Sequence, residues 1–255
     1  MWKWFKWVLL GIGILIIFGV VLAFLRPGTT EDNTQPPQFI QMDFIDLDRI
    51  VAISKFRSNS GHDFSSGDET CRSMKHYFNV QVSQEGERLR SQNKGMPPPP
   101  DGKTDIKIMS PVDGKVVSIK KEQTLGGQIY IEPTNAPQYT IRLFHIYELD
   151  GIKEGSKVTA GQQIGVIGQY QNTDIAIESK RGFKPGFISY FEVMPDSVFA
   201  AYQAKGVKDR NELVITKEYR DAHPLECNGE QFAVNYDQNQ TPENFVFLPG
   251  YNSSL

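Results

Sequence analysis

The side chains of this sequence best suited to chemistry near neutral pH are its four histidines, His62, His76, His145 and His223. Asp63 follows His62 directly, Asp68 lies between His62 and His76, and Asp174 opens a short apolar run downstream of His145. Imidazole and carboxylate are the groups from which divalent-metal sites and general acid–base pairs are built. His62, Asp63, His76 and His145 are enough for a three- or four-ligand set, although two neighbours such as His62 and Asp63 face opposite sides if they lie on a strand. In the other reading His145 is a half-buried strand residue, and the segments around His62 and His76 are structural loops. Cys71 and Cys227 stand outside any Cys-x-x-Cys pattern, which argues against a metal pair. The sequence has no Gly-x-Ser-x-Gly elbow and no His-Glu-x-x-His helix.

The elements that must position these residues begin with an anchor. From Trp7 to Leu25 the chain runs 19 residues without a charge. As a helix this spans roughly 28 Å, close to the hydrocarbon thickness of a bilayer. Trp2, Trp4 and Trp7 gather at one end beside Lys3 and Lys6, while Arg26 at the other end is soon followed by Glu31 and Asp32. The expectation is a single-pass transmembrane helix in the cell membrane, N-terminus inside and body extracytoplasmic; the competing reading is a cleaved signal peptide, which exports the same residues 27–255. In that compartment two cysteines predict a Cys71–Cys227 disulfide, the alternative being two buried free thiols. The formal net charge is −3, so no basic balance points to nucleic acid.

Residues 1–26 thus read as cytoplasmic tip and anchor, 27–38 as a polar linker, 39–206 as the main domain and 207–255 as a C-terminal extension. In 39–51, Ile40, Phe44, Leu47 and Val51 fit a short helical stripe. Residues 84–104, with Pro97 to Pro100, read as an exposed inserted loop. After it come short β runs at 116–119, 128–131, 140–146, 165–167, 174–177 and 187–193, bounded by Gly, Asn or Pro. That spacing argues a small barrel or sandwich. A short helix around 195–205, capped by Asp196 or Ser197, and a strand at 212–216 complete the reading.

Two segments carry a resemblance. One runs from Ser110-Pro111-Val112-Asp113-Gly114 to Val117; the other is the Gly-rich return from Gly151 to Gly165, with Gly155, Val158 and Gly161. Together they resemble the barrel-sandwich or duplicated hybrid motif, found in biotinyl and lipoyl carriers, glucose-type phosphotransferase domains and LytM/lysostaphin-type zinc peptidases. Residues 169–179 hold no modifiable Lys for a carrier, and His145 has no second histidine beside it in the β region for a phosphotransferase. The intervening Arg142-Leu143-Phe144-His145-Ile146 resembles the LytM-type strand whose histidine faces substrate.

The resemblance implies zinc held by the first His and the Asp of a His-x-Gly-x-Asp motif and by the last His of a His-x-His motif. In this chain Asn59-Ser60-Gly61-His62-Asp63 falls on the first motif and Asp174-Ile175-Ala176 on the second. Asp174 then takes the catalytic place and Ala176, which has no lone pair, a ligand place. The resemblance therefore implies His145 and Asp174 as catalytic positions in a degenerate site, with a bound metal not expected. The function it implies is a membrane-held module that binds cell-wall peptidoglycan or regulates an envelope hydrolase. The alternative is a zinc endopeptidase with a rebuilt ligand set of His62, Asp63 and His76, and a third reading is a structural part of an envelope assembly.

Overall fold

Alternating apolar residues and a few crowded glycines organise the chain into strands. The computed structural model describes residues 35–123, 125–180, 186–234 and 241–250. The expected transmembrane helix at 7–25 lies outside them; among the described residues no helix is long and apolar enough to cross a membrane. The unit from Pro37 to Leu255 is mainly antiparallel β. Its strands are β1 (Ile50–Ser54), β2 (His76–Val80), β3 (Ile106–Met109), β4 (Gly114–Lys121), β5 (Gly127–Pro133), β6 (Tyr139–Glu148), β7 (Lys157–Val158), β8 (Gln163–Ile167), β9 (Thr173–Ser179), β10 (Gly186–Ile188), β11 (Cys227–Asn228), β12 (Gln231–Phe232) and β13 (Phe245–Phe247). The main sheet runs β13-β1-β2-β9-β6-β5-β4-β7, with β10 on β9, and β3 on β8, which in turn pairs with the end of β6. The mainly β expectation holds, but the path ends at β13 and β7 and no barrel closes among the described residues.

The core is one apolar cluster in which Ile129, Ile131, Ile141, Leu143, Ile175 and Ile177 of the central strands meet Phe44, Phe78, Tyr190 and Phe191. The two motifs that carried the resemblance clasp each other. Ser110 N–H donates to Gln162 O, Gly161 N–H to Ser110 O, and Ala160 N–H to the Asp113 carboxylate. Gly114 is required by close approach rather than by a tight turn: a Cβ there would lie 2.6 Å from Glu132 O.

Four local expectations are corrected. Residues 39–51 hold no α-helix, because Phe39 and Ile40 donate to Val193 O, and Gln41 and Met42 to Pro111 O; only Leu47–Arg49 forms a 3-10 turn, capped by Asp46. Within 84–104 the structure has a helix, α1 (Gln84–Gln92), whose Ser83 hydroxyl accepts from Gly86 N–H. It has almost no apolar stripe, so capping and charge rather than periodicity specify it. The run 187–193 stops as a strand at Ile188; Glu192 accepts from Ser189 N–H and turns Tyr190 and Phe191 into the core. Residues 210–213 form a 3-10 turn capped by Asp209 instead of a strand. The helix expected near 195–205 is present as α2 (Asp196–Ala204), though Pro195 stands at its cap and no side chain bonds there.

The extension supplies α3 (Lys217–Ala222), the β11–β12 hairpin and the edge strand β13 on β1. Cys71 and Cys227 are bonded, with Cα atoms 5.7 Å apart, so the hairpin is tied to the loop between β1 and β2.

Candidate functional site

β6 positions the site because it changes partners midway. Up to Phe144 it pairs with β9, and at Tyr147 and Glu148 it pairs with β8. His145 sits at the change with φ of 63°, a left-handed conformation that costs a non-glycine residue about 1 kcal/mol or more. Its pairing with β5 skips there, from Leu143 opposite Ile129 to Ile146 opposite Gly127, which marks a β-bulge. The carbonyls that the bulge removes from the ladder are satisfied by side chains: Thr173 Oγ1 donates to Phe144 O at 2.7 Å, and the buried Gln171 amide donates to His145 O. A bulge brings consecutive side chains toward one side. Phe144 is directly across from Asp174, and His145 Nε2 lies 3.2 Å from Asp174 Oδ1.

Asp174 is fully buried at the centre of a chain of ions. From the neighbouring β2 side, Lys75 Nζ lies 2.5 Å from Asp174 Oδ2. His145 Nδ1 meets Glu122 Oε2 at 2.5 Å, and Lys75 Nζ approaches His62 Nε2 at 3.4 Å. The sequence of groups is therefore His62, Lys75, Asp174, His145, Glu122. The ring centroids of Phe64, Tyr77 and Phe144 lie 5.0, 4.7 and 4.4 Å from the ammonium, cation–π contacts that strengthen when dry. The Lys75 side chain is 3% exposed and Asp174 not at all, whereas His145 keeps 29%. The two contacts to Asp174 are close ion pairs whose angles fall outside in-line hydrogen-bond geometry.

These charges set one another. Burial works against a charged His145, but Asp174 and then Glu122 outweigh it and raise its pKa to about 10. Burial favours a neutral Asp174, yet Lys75 and His145 hold it well below the usual carboxylate range. Burial also raises Glu122, and its bond with His145 more than offsets this, leaving it lowered. His145 is thus a fixed imidazolium at neutral pH and has no lone pair with which to take a proton. Its folded pKa of about 10 exceeds the unfolded value near 6.5, so the stability it contributes is complete below about pH 6.5 and is lost as pH rises through about 10. Thermal unfolding should show the melting temperature falling across that window, and His145→Gln should flatten the fall. An unchanged pH profile in that variant contradicts the assignment.

The residues read as metal ligands are placed apart. His76 lies buried on the core side, with Nδ1–H donating to Ser54 O and Nε2 accepting from Ser189 Oγ, both at 2.8 Å; burial pushes its pKa down to about 4. Asp63 Oδ1 accepts from the Ser65 hydroxyl and from Arg72 N–H. His62 Nδ1–H donates to Asp63 O. Asn59 turns to the C-terminal extension, bonding Val234 O and Asn244 Oδ1. Among the described residues no three His, Cys, Asp or Glu side chains form a group that could hold a metal ion. The zinc that the resemblance implies does not fit this face, where a lysine cation already contacts Asp174 and Ala176 offers no donor. Lys75 and Glu122, which complete the ion chain, escaped the sequence reading. Lys75 had one usable signal, its place just before the strand-type run His76-Tyr77-Phe78-Asn79-Val80; Glu122 had none.

Beside the ion chain, His62, Asp63, Phe64, Arg142, Glu178, Phe187 and Glu230 line an open groove of about 720 Å³. The Arg142 guanidinium lies 5.0 Å from the Phe64 ring centroid and 5.9 Å from that of Phe187.

Residues 98–182, a third of the chain, match the family model described as Peptidase family M23. No curated protein matches the sequence. Among solved structures, the chain is similar to one from the SpoIIQ–SpoIIIAH pore-forming complex, at 14% identity and a TM-score of 0.40 over 66% of this chain and 99% of that one. It is also similar to Helicobacter pylori Csd3, at 15% identity and a TM-score of 0.35 over 82% and 45% of the two chains. The catalytic domain of lysostaphin from Staphylococcus simulans is similar at 14% identity and a TM-score of 0.29, over 49% and 89%.

Proposed function

We propose that this protein is a non-catalytic peptidase-like module, anchored in the cell membrane by residues 7–25 with its body outside the cytoplasm, that binds cell-wall peptidoglycan through the groove beside its closed ion chain. The observation that carries the non-catalytic part is the bracketing of His145 between Asp174 and Glu122. A peptidase of this kind needs a metal-activated water and a group able to accept or relay its proton. Here the imidazole that would serve is already protonated, and Lys75 neutralises the central carboxylate. The binding part is supported by the groove. It offers two aromatic faces, a guanidinium and the three carboxylates of Asp63, Glu178 and Glu230 to an extended peptide with both charged and apolar groups.

Co-sedimentation of the full-length protein with purified peptidoglycan tests this. The wild type should pellet with it, and Arg142→Ala should weaken the association about tenfold, as loss of an anchoring arginine does. Failure of the wild type to sediment overturns the wall-binding reading.

A further inference from the structure

The register of β2 and β9 sets which side chains face each other beside Asp174. β2 and β9 pair with His76 opposite Ile175 and Tyr77 opposite Asp174. Continuing that register by one residue sets Lys75 against Ala176, on the same face as Asp174. Ala176 is 1% exposed and has only a methyl group to fill its place, and across β6 its neighbour is Arg142. A long side chain from the facing strand can therefore lie over it, and the Lys75 ammonium ends 2.5 Å from Asp174, inside a ring of Phe64, Tyr77 and Phe144.

We propose that the Lys75 ammonium is a built-in replacement for a metal ion. It supplies the positive charge that the buried Asp174 and the His145–Glu122 pair require, and it occupies the space between positions 75 and 176 that a divalent cation would need. The inference rests on reading Ala176 as a ligand place of a degenerate LytM-type site. Buried carboxylates are tolerated when paired with a cation, and a fixed ammonium does this without any ligand set. The same arrangement makes the face convertible. Imidazoles on two facing cross-strand positions, with Asp174 two residues along, form a His2Asp set of the kind that holds zinc with one position open.

The test is the zinc content of the full-length protein after equilibrium dialysis, for the wild type and for the double variant Lys75→His/Ala176→His. The double variant should retain about one zinc per chain and the wild type far less. Near-stoichiometric zinc in the wild type overturns the proposal, and so does a double variant that folds yet stays empty. Reductive methylation of the native wild type needs no substitution and stands if the variant does not fold. Lys75 should resist modification while exposed lysines react, and modification at a rate like theirs overturns the proposal. A folded, empty variant that still binds peptidoglycan sinks this inference alone; a wild type that is zinc-free and binds no peptidoglycan sinks only the proposed function.

Discussion

Replacing Asp174 with Asn is expected to destabilise the protein by about 3–5 kcal/mol, the range for breaking a buried ion pair from one side. Asp174 is the single anion between two cations, Lys75 at 2.5 Å and His145 at 3.2 Å. The variant keeps the shape of the side chain and removes its charge. Lys75 is then left buried without a counter-charge, among aromatic rings and the His62 nitrogen. His145 retains Glu122, so the larger share of the loss falls on Lys75. Adding Lys75→Met to Asp174→Asn should recover most of the stability, since an apolar side chain of similar length is not penalised in that ring. Urea unfolding of the wild type, both single variants and the double variant gives the coupling directly. A single-variant loss under about 1 kcal/mol, the level of an exposed pair, contradicts the buried ion chain.

Reduction of the Cys71–Cys227 bond should cost about 5 kcal/mol, the chain-entropy value for a loop of this length. The bond closes a separation of 156 residues and fastens the β11–β12 hairpin to the loop that carries His62, Asp63 and Phe64. That loop holds few strand contacts of its own. Its other ties to the extension include the bonds of Asn59 with Val234 O and Asn244 Oδ1, of Asp63 N–H with Glu230 O, and the ion pair of Arg72 with Asp221. Reduction should therefore lower the unfolding midpoint and loosen one wall of the groove. Thiol labelling of the non-reduced, denatured protein should find no free thiol. A midpoint unaffected by reductant contradicts the role given to this bond.

How much of this was legible in the sequence follows from what each signal measures. The β runs between 116 and 177 were readable because turn residues bound short apolar alternations, and the observed strands fall on them. β1 was missed because all five of its residues are buried, so it shows no alternation, and its Val51 also continues a helical spacing with Ile40, Phe44 and Leu47. α1 was missed for the opposite reason, having charge and a cap but no apolar face. In the site, His145 and Asp174 stood out by residue type and motif. Their relation did not, because it depends on a bulge that rotates His145 toward Asp174, and a bulge leaves no mark in periodicity. Asn59 matched a motif by spacing alone, whereas Lys75 reaches the site through strand pairing. Spacing along the chain cannot show which segment crosses to β9.

The most direct measurement is digestion of purified peptidoglycan by the full-length protein, with and without added zinc, followed by release of soluble peptide fragments. With His145 fixed as an imidazolium and Lys75 seated against Asp174, no release above the protein-free control is expected at neutral pH under either condition. Release that requires zinc, is abolished by a chelator and disappears in His145→Ala would contradict the reading and make the protein an enzyme.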